Sequence, residues 1–301
     1  MKSGKLTSGD DGMDVKLFVC CHKESKVPAH ELLVPMQVGT KNANHRFPGF
    51  IYDDVGENMS EKNPSYCELT AHYWAWKNVL ADYYGFFHYR RYLYPNVEAK
   101  LPYHIMGKPT LSLLKRLGYD QFVQVISQYD IIAPKGCNMH CSVRRHYASS
   151  DYHHGRDLEL IERIVQEYYP QMTKSMDQYL SDTICYFGNI FIMSRTAFFN
   201  YCTWLFPILD TFDRNAKTGE YVGQEARVDG YLAERLFGIY LTFYRKELKT
   251  MELPWILFEP DLFKRTQMQI KNTLLPPNSY QRAYVKNIIQ KGKSAVRSVE
   301  F

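Results

Sequence analysis

The sequence DDVGENMSEKNPSYCELTAHYWAWKNVLADYYGFFHYRRYLY, residues 53–94, shows a loop, a helix and a strand in direct succession. Its first residues are polar and turn-forming. Asn63 and Pro64 then predict the start of a helix, because Asn is a good N-cap and Pro loses no hydrogen bond at the first helical position. From Gly85 an aromatic run, GFFHYRRYLY, is typical of a β-strand. Further strands and helices are predicted on both sides of this unit.

The predicted helix has an apolar face and a polar side. Glu68, His72 and Lys77 lie off the apolar face, where a ligand can reach them. The apolar residues recur at helical spacing: Leu69, Tyr73, Trp76 and Leu80.

The predicted strand carries two adjacent arginines among aromatic residues. In a continuous strand Arg90 would share a face with His88, and Arg91 would lie on the opposite face. A buried guanidinium needs an anionic partner. That partner is either a structural carboxylate, such as Asp53 or Asp54, or the diphosphate of a ligand, whose oxygens match the guanidinium fork.

These motifs, together with YDIIAPK at 129–135, FGNIFIMSR at 187–195 and RVDGYLAERL at 227–236, resemble the DUF4422 family over residues 15–244. Members of this family are bacterial glycosyltransferases of capsule and lipopolysaccharide O-antigen synthesis, and some are galactofuranosyltransferases. The resemblance implies an α/β fold of the GT-A type, with a single nucleotide-sugar-binding domain and a mixed central sheet. It also implies an enzyme that moves a hexose, with galactofuranose as one candidate, from a UDP-sugar to a lipid-linked or oligosaccharide acceptor with inversion.

In GT-A enzymes a D-x-D motif after a central strand holds a divalent metal. By resemblance GFFHYRRYLY occupies that place, and it contains no D-x-D. We therefore expect Arg90 or Arg91 to supply the positive charge, with a hydrogen bond or proton from His88, and no permanently bound cofactor. Asp53 and Asp54 keep a Mg²⁺ site open as an alternative. Cys137, His140, Cys141 and His146 fit no standard zinc-finger spacing.

The composition narrows the partners. The 301 residues carry a net charge of +5, and no nucleic-acid-binding module is present, so we favour phosphorylated substrates or anionic lipid. Seven cysteines without disulfide-like spacing favour reduced thiols in the cytoplasm. No apolar run is long enough to predict a membrane span. The 24 tyrosines suit either a sugar-binding cleft or a large core.

The rest of the chain alternates between predicted strands and helices. Residues 15–21 predict a buried first strand, and residues 129–134 and 187–194 predict two more. Helices are expected at 111–128, 196–212 and 224–241. No G-x-G-x-x-G or P-loop motif is present, so a classical dinucleotide fold is not expected.

Residues 135–155 form a polar segment rich in His, Arg and Ser. A loop of this length is uncommon in a compact domain unless it is functional or mobile. We interpret it as an active-site flap that contacts the donor phosphate or the acceptor; a solvated basic loop is the alternative. The predicted contacts are Arg144, Arg145, His153 and His154.

For the base that activates the acceptor hydroxyl, the candidates are Asp229 and Glu225, near the start of the late helix. Both can instead pair with Arg227 or Arg235. With His88 they complete the predicted catalytic residues. The predicted donor-binding residues are Cys21, His22, Lys23, Asn63, Lys77, Arg90, Arg91, Asn189 and Arg227.

We divide the chain into a leader at 1–13, a glycosyltransferase domain at 14–255 and a basic helical extension at 256–301. Residues 280–301 carry five cations against one Glu, with a narrow apolar stripe. This pattern is typical of a helix on an anionic membrane surface, or of a solvated tail. We expect the tail to aid peripheral membrane contact at the inner face of the cytoplasmic membrane without taking part in the chemistry.

Two other functions remain open. One is a hydrolase or phosphotransferase, although the sequence has no nucleophile elbow and no nucleotide loop. The other is a non-catalytic factor of polysaccharide assembly that binds sugar or lipid and needs no base.

Overall fold

The computed structural model describes residues 12–297. Residues 1–11, which hold most of the predicted leader, and residues 298–301 lie outside the described part. The strands are, in chain order, β1 Val15–Cys21, β2 Leu33–Gln37, β3 Ile51–Tyr52, β4 Tyr83–His88, β5 Arg91–Leu93, β6 Tyr103–Met106, β7 Ile131–Pro134, β8 Cys137–Asn138, β9 Ile184–Cys185, β10 Phe191–Ser194, β11 Thr250–Leu253 and β12 Trp255–Phe258.

The helices alternate with these strands, and short 3₁₀ turns precede several of them. They are α1 Asn63–Tyr66, α2 Leu69–Asn78, α3 Leu111–Arg116, α4 Phe122–Ile126, α5 Val143–Ala148, α6 Gly155–Tyr168, α7 Thr173–Ser181, α8 Arg195–Asn215, α9 Val228–Phe243, α10 Leu262–Leu274 and α11 Tyr280–Arg297.

The central sheet has ten strands, of which seven follow the order β11-β7-β10-β4-β1-β2-β3; β5 continues from β4, β12 pairs with β5, and β6 pairs with β12. Strand β10 is antiparallel to both of its neighbours, and the other pairs along this order are parallel. The carboxyl ends of β1, β2 and β4 therefore meet at one edge of the sheet. The predicted α/β fold with a mixed central sheet is confirmed.

Strand β1 is almost entirely apolar because helices cover both faces of the sheet. Phe18 and Cys20 face a core shared with α2, α8 and α9. Leu17 and Val19, on the other side, face a second core that includes α3 and α4. Alternate side chains of this strand thus belong to two hydrophobic cores, one on each face of the sheet.

The aromatic run GFFHYRRYLY is a hairpin and not one strand, which corrects our prediction. Strand β4 ends at His88, the chain turns at Tyr89 and Arg90, and β5 begins at Arg91. His88 and Arg91 are paired directly across the antiparallel ladder. Side chains opposite each other in such a pair lie on the same face, so the turn brings together two residues that a straight strand would separate.

The helix predicted from Asn63 is two helices. The chain breaks at Cys67, which has φ +52°, a left-handed conformation that is uncommon outside glycine. The buried side of α2 agrees with the predicted face only in part. Leu69 is fully buried, and Tyr73 and Trp76 pack on Phe206. His72 is 1% exposed between two Phe rings, whereas Leu80 lies beyond the helix and is 74% exposed. Apolar periodicity does not indicate the small residues and the histidine that also pack there.

Three other predicted elements changed their bounds or type. The helix at 111–128 is split into α3 and α4, because Gly118 has φ +88°. Gly188 and Asn189 are left-handed, so β10 begins only at Phe191. Within the predicted flap, Val143–Ala148 form helix α5, whose Val143 is fully buried. The interpretation of 135–155 as an extended loop is therefore wrong for this helix.

The predicted boundary between residues 255 and 256 runs through β12. This strand pairs with β5 and β6, so the helical extension starts after Phe258, with α10 and α11. The division of the chain itself stays a prediction. Within residues 12–297 no helix is long and apolar enough to cross a membrane.

Candidate active site

The carboxyl ends of β1 and β4 place a group of polar side chains at one edge of the sheet. In open α/β sheets ligands bind at this edge. His22 and Lys23 follow β1 and are exposed, and Lys23 lies over the ring of Tyr89, 5.3 Å from its centroid. The rings of His22 and His88 are 5.8 Å apart. We call His22, Glu68, His88, Arg91 and Arg227 the edge cluster.

His88 is held in one orientation by its neighbours. Its Nδ1 accepts a hydrogen bond from the backbone N–H of Arg90 at 3.2 Å, so in the neutral ring Nε2 carries the proton. Nε2 lies 3.8 Å from Oε1 of Glu68. Burial, and then the charge of Arg91, lowers the pKa of His88 to about 2. His88 is therefore a neutral hydrogen-bond donor at physiological pH.

The two adjacent arginines have different partners. Arg90 donates to the carboxylate of Glu259 at 2.9 Å and to the carbonyl of Phe258 at 3.3 Å, so it ties the hairpin to the end of β12. Among the residues whose side chains the structure describes, none forms a hydrogen bond or ion pair with the side chain of Arg91; its guanidinium lies 5.9 Å from the centroid of the Trp255 ring. The structural carboxylate of our first interpretation belongs to Arg90, and Arg91 is left available to an anion.

The break between α1 and α2 also contributes to the edge cluster. Arg227, just before α9, donates from Nε to Sγ of Cys67 at 3.2 Å, and burial raises the pKa of that thiol to about 12. Gly230 lets α9 approach, because a Cβ there would lie 3.0 Å from the same sulfur. The neighbouring Glu68 side chain is 12% exposed. A backbone conformation of this kind is maintained at functional sites by surrounding contacts.

A cavity of about 600 Å³ opens beside the edge cluster, a volume suited to a small-molecule ligand. Arg91 belongs to the edge cluster and also lines the cavity. The cavity lies between the sheet edge with α9 on one side and α10–α11 on the other. Its lining includes Arg91, Tyr103, His146, His153, Gly188, Tyr231, Glu234, Arg235, Trp255, Lys271, Arg282 and Lys286.

Glu234 presents a carboxylate to this cavity. One oxygen accepts from the backbone N–H of Gly188 at 2.6 Å, and the other accepts from Nη1 of Arg235 at 2.6 Å. Burial raises the pKa of Glu234, while Arg235 and Arg91 act to lower it. Arg235 is fully buried, with its guanidinium 5.3 Å from the centroid of the Tyr147 ring. The sequence analysis did not select Glu234; the signal was an adjacent Glu-Arg pair inside an apolar helix.

Asn189 supports the same wall. Its side-chain amide donates to the carbonyl of Gly230 at 3.0 Å, and its φ is +49°. Together with Gly188 it forms the left-handed turn that directs an N–H at Glu234. The structure gives Asn189 a part in positioning α9, and direct donor contact stays a prediction.

The two predicted bases lie elsewhere. Asp229 is 1% exposed and accepts a hydrogen bond from the hydroxyl of Ser65, between α1 and α9. Burial and the charge of Asp213 raise the pKa of Asp229. Glu225 lies 3.6 Å from Nε2 of His154 and is not part of the cavity lining. Neither carboxylate lines the cavity to which Arg91 belongs.

Three predicted donor contacts point away from the edge cluster. The thiol of Cys21 is buried and donates to the carbonyl of Val19. The amide of Asn63 donates to the carbonyl of Cys67 at 2.7 Å and so closes α1. Lys77 pairs with Glu57 at 3.3 Å near the end of α2, which leads into the start of β4 at the opposite edge of the sheet. The structure gives these side chains partners within the chain, and their contact with a donor stays a prediction.

The predicted flap contacts divide into two groups. Arg144 forms a bidentate pair with Glu162 at 2.8 and 2.9 Å, and Arg145 is on the exposed side of α5. His154 stacks on Tyr221, with centroids 4.5 Å apart. Only His153 lines the cavity, where burial lowers its pKa to about 3. Arg144 and His154 have partners within this chain, and their contact with a donor or acceptor stays a prediction.

The alternative metal residues have protein partners. Asp53 is fully buried and accepts from the N–H groups of Gly39 and Thr40 and from the hydroxyls of Ser60 and Thr70, at 2.6 to 3.0 Å. Asp54 pairs with Arg46 at 2.7 Å. In the described part of the chain no group of three or more His, Cys, Asp or Glu side chains could hold a metal ion.

Comparison with known proteins supports the resemblance found in the sequence. The domain of unknown function DUF4422 matches residues 16–246. A similar solved structure is the apo form of WbbM, described as a bifunctional glycosyltransferase, with 33% identity and a TM-score of 0.78. The match covers 82% of this chain and 45% of the WbbM chain, so this chain spans less than half of that protein. A search of curated proteins gave no match. The predicted fold class is confirmed by this likeness.

Proposed function

Because the chain belongs to the DUF4422 family and shares its fold with a bifunctional glycosyltransferase, we propose that it transfers a sugar from a nucleotide-sugar donor to an acceptor hydroxyl. The observation that carries this proposal is the hairpin at the end of β4. It places Arg91, which has no hydrogen-bond or ion-pair partner among the described side chains, beside neutral His88 and at the wall of a cavity of about 600 Å³.

The donor diphosphate would bind at the edge cluster. As the bond from the anomeric carbon to the diphosphate oxygen breaks, negative charge grows on the leaving phosphate. The Arg91 fork can donate two hydrogen bonds to it, and Nε2–H of His88 can donate a third. His22, Lys23 and Arg227 add positive or hydrogen-bonding groups to the same edge. Arginine thus takes the part that a metal plays in enzymes with D-x-D.

The base would be Glu234. In an inverting reaction, a base removes the proton of the acceptor hydroxyl while its oxygen attacks the anomeric carbon from the face opposite the diphosphate. Glu234 lines the same cavity as Arg91, and its two oxygens are fixed by Gly188 and Arg235. Burial raises the pKa of Glu234, which makes it a better proton acceptor than an exposed carboxylate.

For the donor we propose a UDP-sugar, with UDP-galactofuranose as the first to test, since the family resemblance includes galactofuranosyltransferases. For the acceptor we propose a lipid-linked or oligosaccharide intermediate of capsule or O-antigen synthesis. These identities rest on resemblance. That Arg91 and Glu234 line one cavity supports a meeting of donor and acceptor there.

The purified chain is expected to release UDP from a UDP-sugar only when an acceptor is present, and to do so equally well in EDTA. The reason is that Arg91 and His88, and no metal, would stabilise the leaving group. Product formation should be followed by mass spectrometry with and without chelator. Loss of activity in EDTA that Mg²⁺ or Mn²⁺ restores would contradict the metal-free mechanism. UDP release without acceptor would indicate a hydrolase, and binding without release an assembly factor.

We also propose that α10 and α11 contact an anionic membrane. Their outer side combines exposed apolar residues with cations, as in interfacial helices. Tyr284 is 59% and Ile288 54% exposed, one turn apart on α11. The other strongly exposed apolar residues of the two helices are Leu262, Phe263, Ile270, Leu274, Tyr280 and Ile289.

Replacing both Tyr284 and Ile288 by Ser is expected to weaken binding to anionic vesicles about 30-fold, because each side chain contributes about 1 kcal/mol when buried in the interface. Sedimentation with vesicles of phosphatidylglycerol and phosphatidylcholine measures this. Val222→Ser is the control, since Val222 is 74% exposed in a different part of the chain. Truncation before α11 is a poor test, because α11 forms a wall of the cavity. Unchanged binding of the double variant would disprove the proposal.

A further inference from the structure

The cavity has two walls of different charge. The wall formed by the sheet edge and α9 contains Glu234, whose carboxylate pairs with Arg235. All charged side chains in the wall formed by α10 and α11 are cations, because residues 262–289 include no Asp or Glu. Lys271, Arg282 and Lys286 line the cavity from this second wall.

Arg282 fixes the orientation of α11. Its guanidinium donates to Oδ1 of Asn272 at 2.8 Å and to the hydroxyl of Tyr103 at 2.9 Å. These bonds tie α11 to α10 and to β6. Lys286 lies one helical turn after Arg282, and residues four apart share a face of a helix. The bonds of Arg282 therefore direct Lys286 at the cavity.

Lys286 is exposed, and its charge also acts on groups that line the cavity. Burial, and then the positive charges of Arg235 and Lys286, lowers the pKa of His146 to about 3. Arg282 and Lys286 also lower the pKa of Cys137 against the effect of burial, which raises it to about 11. Neither Lys271 nor Lys286 has an ion-pair partner among the residues whose side chains are described. The two amines thus face one space without a carboxylate of their own.

The side of α11 that faces away from the cavity is apolar. Tyr280, Tyr284 and Ile288 follow each other there at helical spacing and are 54–69% exposed, and none of them lines the cavity. Lys286 lies on the opposite side of the same helix, in the cavity lining with Lys271, Glu234 and Arg91. An apolar outer side and a cationic inner side of one helix suit a saccharide carried on a lipid phosphate.

We propose that Lys271 and Lys286 form a second anion site, distinct from the edge cluster, which binds the phosphate or diphosphate that links an acceptor saccharide to its lipid. The inference rests on the proposed function, since it assigns the edge cluster to the donor and this wall to the acceptor. The site would hold the acceptor with its sugar towards Glu234. Ammonium groups suit this task, because they bind phosphate as point charges and tolerate several ligand orientations.

The test uses one saccharide on two carriers, a lipid diphosphate and a neutral alkyl chain of similar length. For Lys271→Gln/Lys286→Gln we expect the KM for the diphosphate-linked acceptor to rise about tenfold, since each partly exposed ion pair contributes about threefold. The KM for the neutral acceptor, the KM for the donor and kcat should not change. Lys264→Gln is the matched control, an exposed lysine of α10 outside the cavity lining.

An equal rise in KM for both acceptors would overturn the proposal, because the lysines would then not recognise the phosphate. A rise in the donor KM would also overturn it and would place the lysines in the donor site. Calorimetric titration with the diphosphate-linked saccharide, without donor, separates this question from the enzyme function. Binding that is weakened in the double variant supports the anion site even if wild-type protein transfers no sugar. Transfer by wild-type protein with binding that is unaffected in the variant supports the enzyme and refutes the site.

Discussion

Replacing Arg91 by Lys is expected to lower kcat about 30- to 1000-fold, because a contact that stabilises the leaving phosphate is worth about 2–4 kcal/mol in the transition state. The lysine keeps the charge but loses the fork that donates two hydrogen bonds. Arg91 is the arginine of the pair that lines the cavity, and no carboxylate that the structure describes pairs with it. The measurement is steady-state transfer with saturating donor and acceptor, together with UDP affinity by calorimetry.

Arg90 and Arg214 provide the comparison. Arg90→Lys would remove part of the pairing with Glu259, so we expect it to lower the melting temperature more than it lowers kcat. Arg214→Lys is the matched control, because Arg214 is an exposed residue of α8 that pairs with Asp210. If Arg91→Lys kept the kcat of the wild type while Arg90→Lys lost it, the assignment of the two arginines would have to be exchanged.

Replacing Glu234 by Gln is expected to lower kcat about 10²- to 10⁴-fold, the usual contribution of a general base. Gln keeps the shape and can still accept from Gly188, but it cannot take the acceptor proton. In the wild type, kcat should fall as the pH drops through the pKa of Glu234, which burial raises above its ordinary value. The variant should lose this acid limb, which a purely structural role would leave in place. Glu167→Gln, at an exposed position of α6, is the control.

The buried Arg235 complicates this test, because Glu234→Gln leaves its charge without a carboxylate partner. Glu234→Asp keeps the charge and moves it, so it should fold like the wild type and show an intermediate kcat. Asp229→Asn and Glu225→Gln are measured alongside. Transfer that is abolished in either of these and preserved in Glu234→Gln would return the base to the residues chosen from the sequence.

The family and the fold class could be predicted from the sequence because both depend on long local patterns. The apolar run of β1 indicated a strand covered on both faces, and the motif around His88 and Arg91 identified the family. The expectation that one arginine meets a carboxylate and the other an anion was also a local argument, from the cost of burying charge. It needed no knowledge of which carboxylate was near.

The turn at Tyr89 and Arg90 decided which arginine pairs with a carboxylate and which one lines the cavity. A straight strand would place His88 and Arg91 on opposite faces, whereas the hairpin pairs them and sends Arg90 to Glu259, 169 residues away in the sequence. The periodicity of a sequence does not register a reversal that occurs within two ordinary residues.

The choice of the proposed base could not be made from the sequence either. Asp229 and Glu234 lie five residues apart on one helix, about half a turn out of phase, so only one can face the cavity. The sequence by itself showed that the late helix α9 carries several carboxylates that could serve as a base. Only the tertiary structure decided that Asp229 turns to Ser65 and Glu234 to the cavity, because that choice depends on how α1, α9 and the turn at Gly188 pack together.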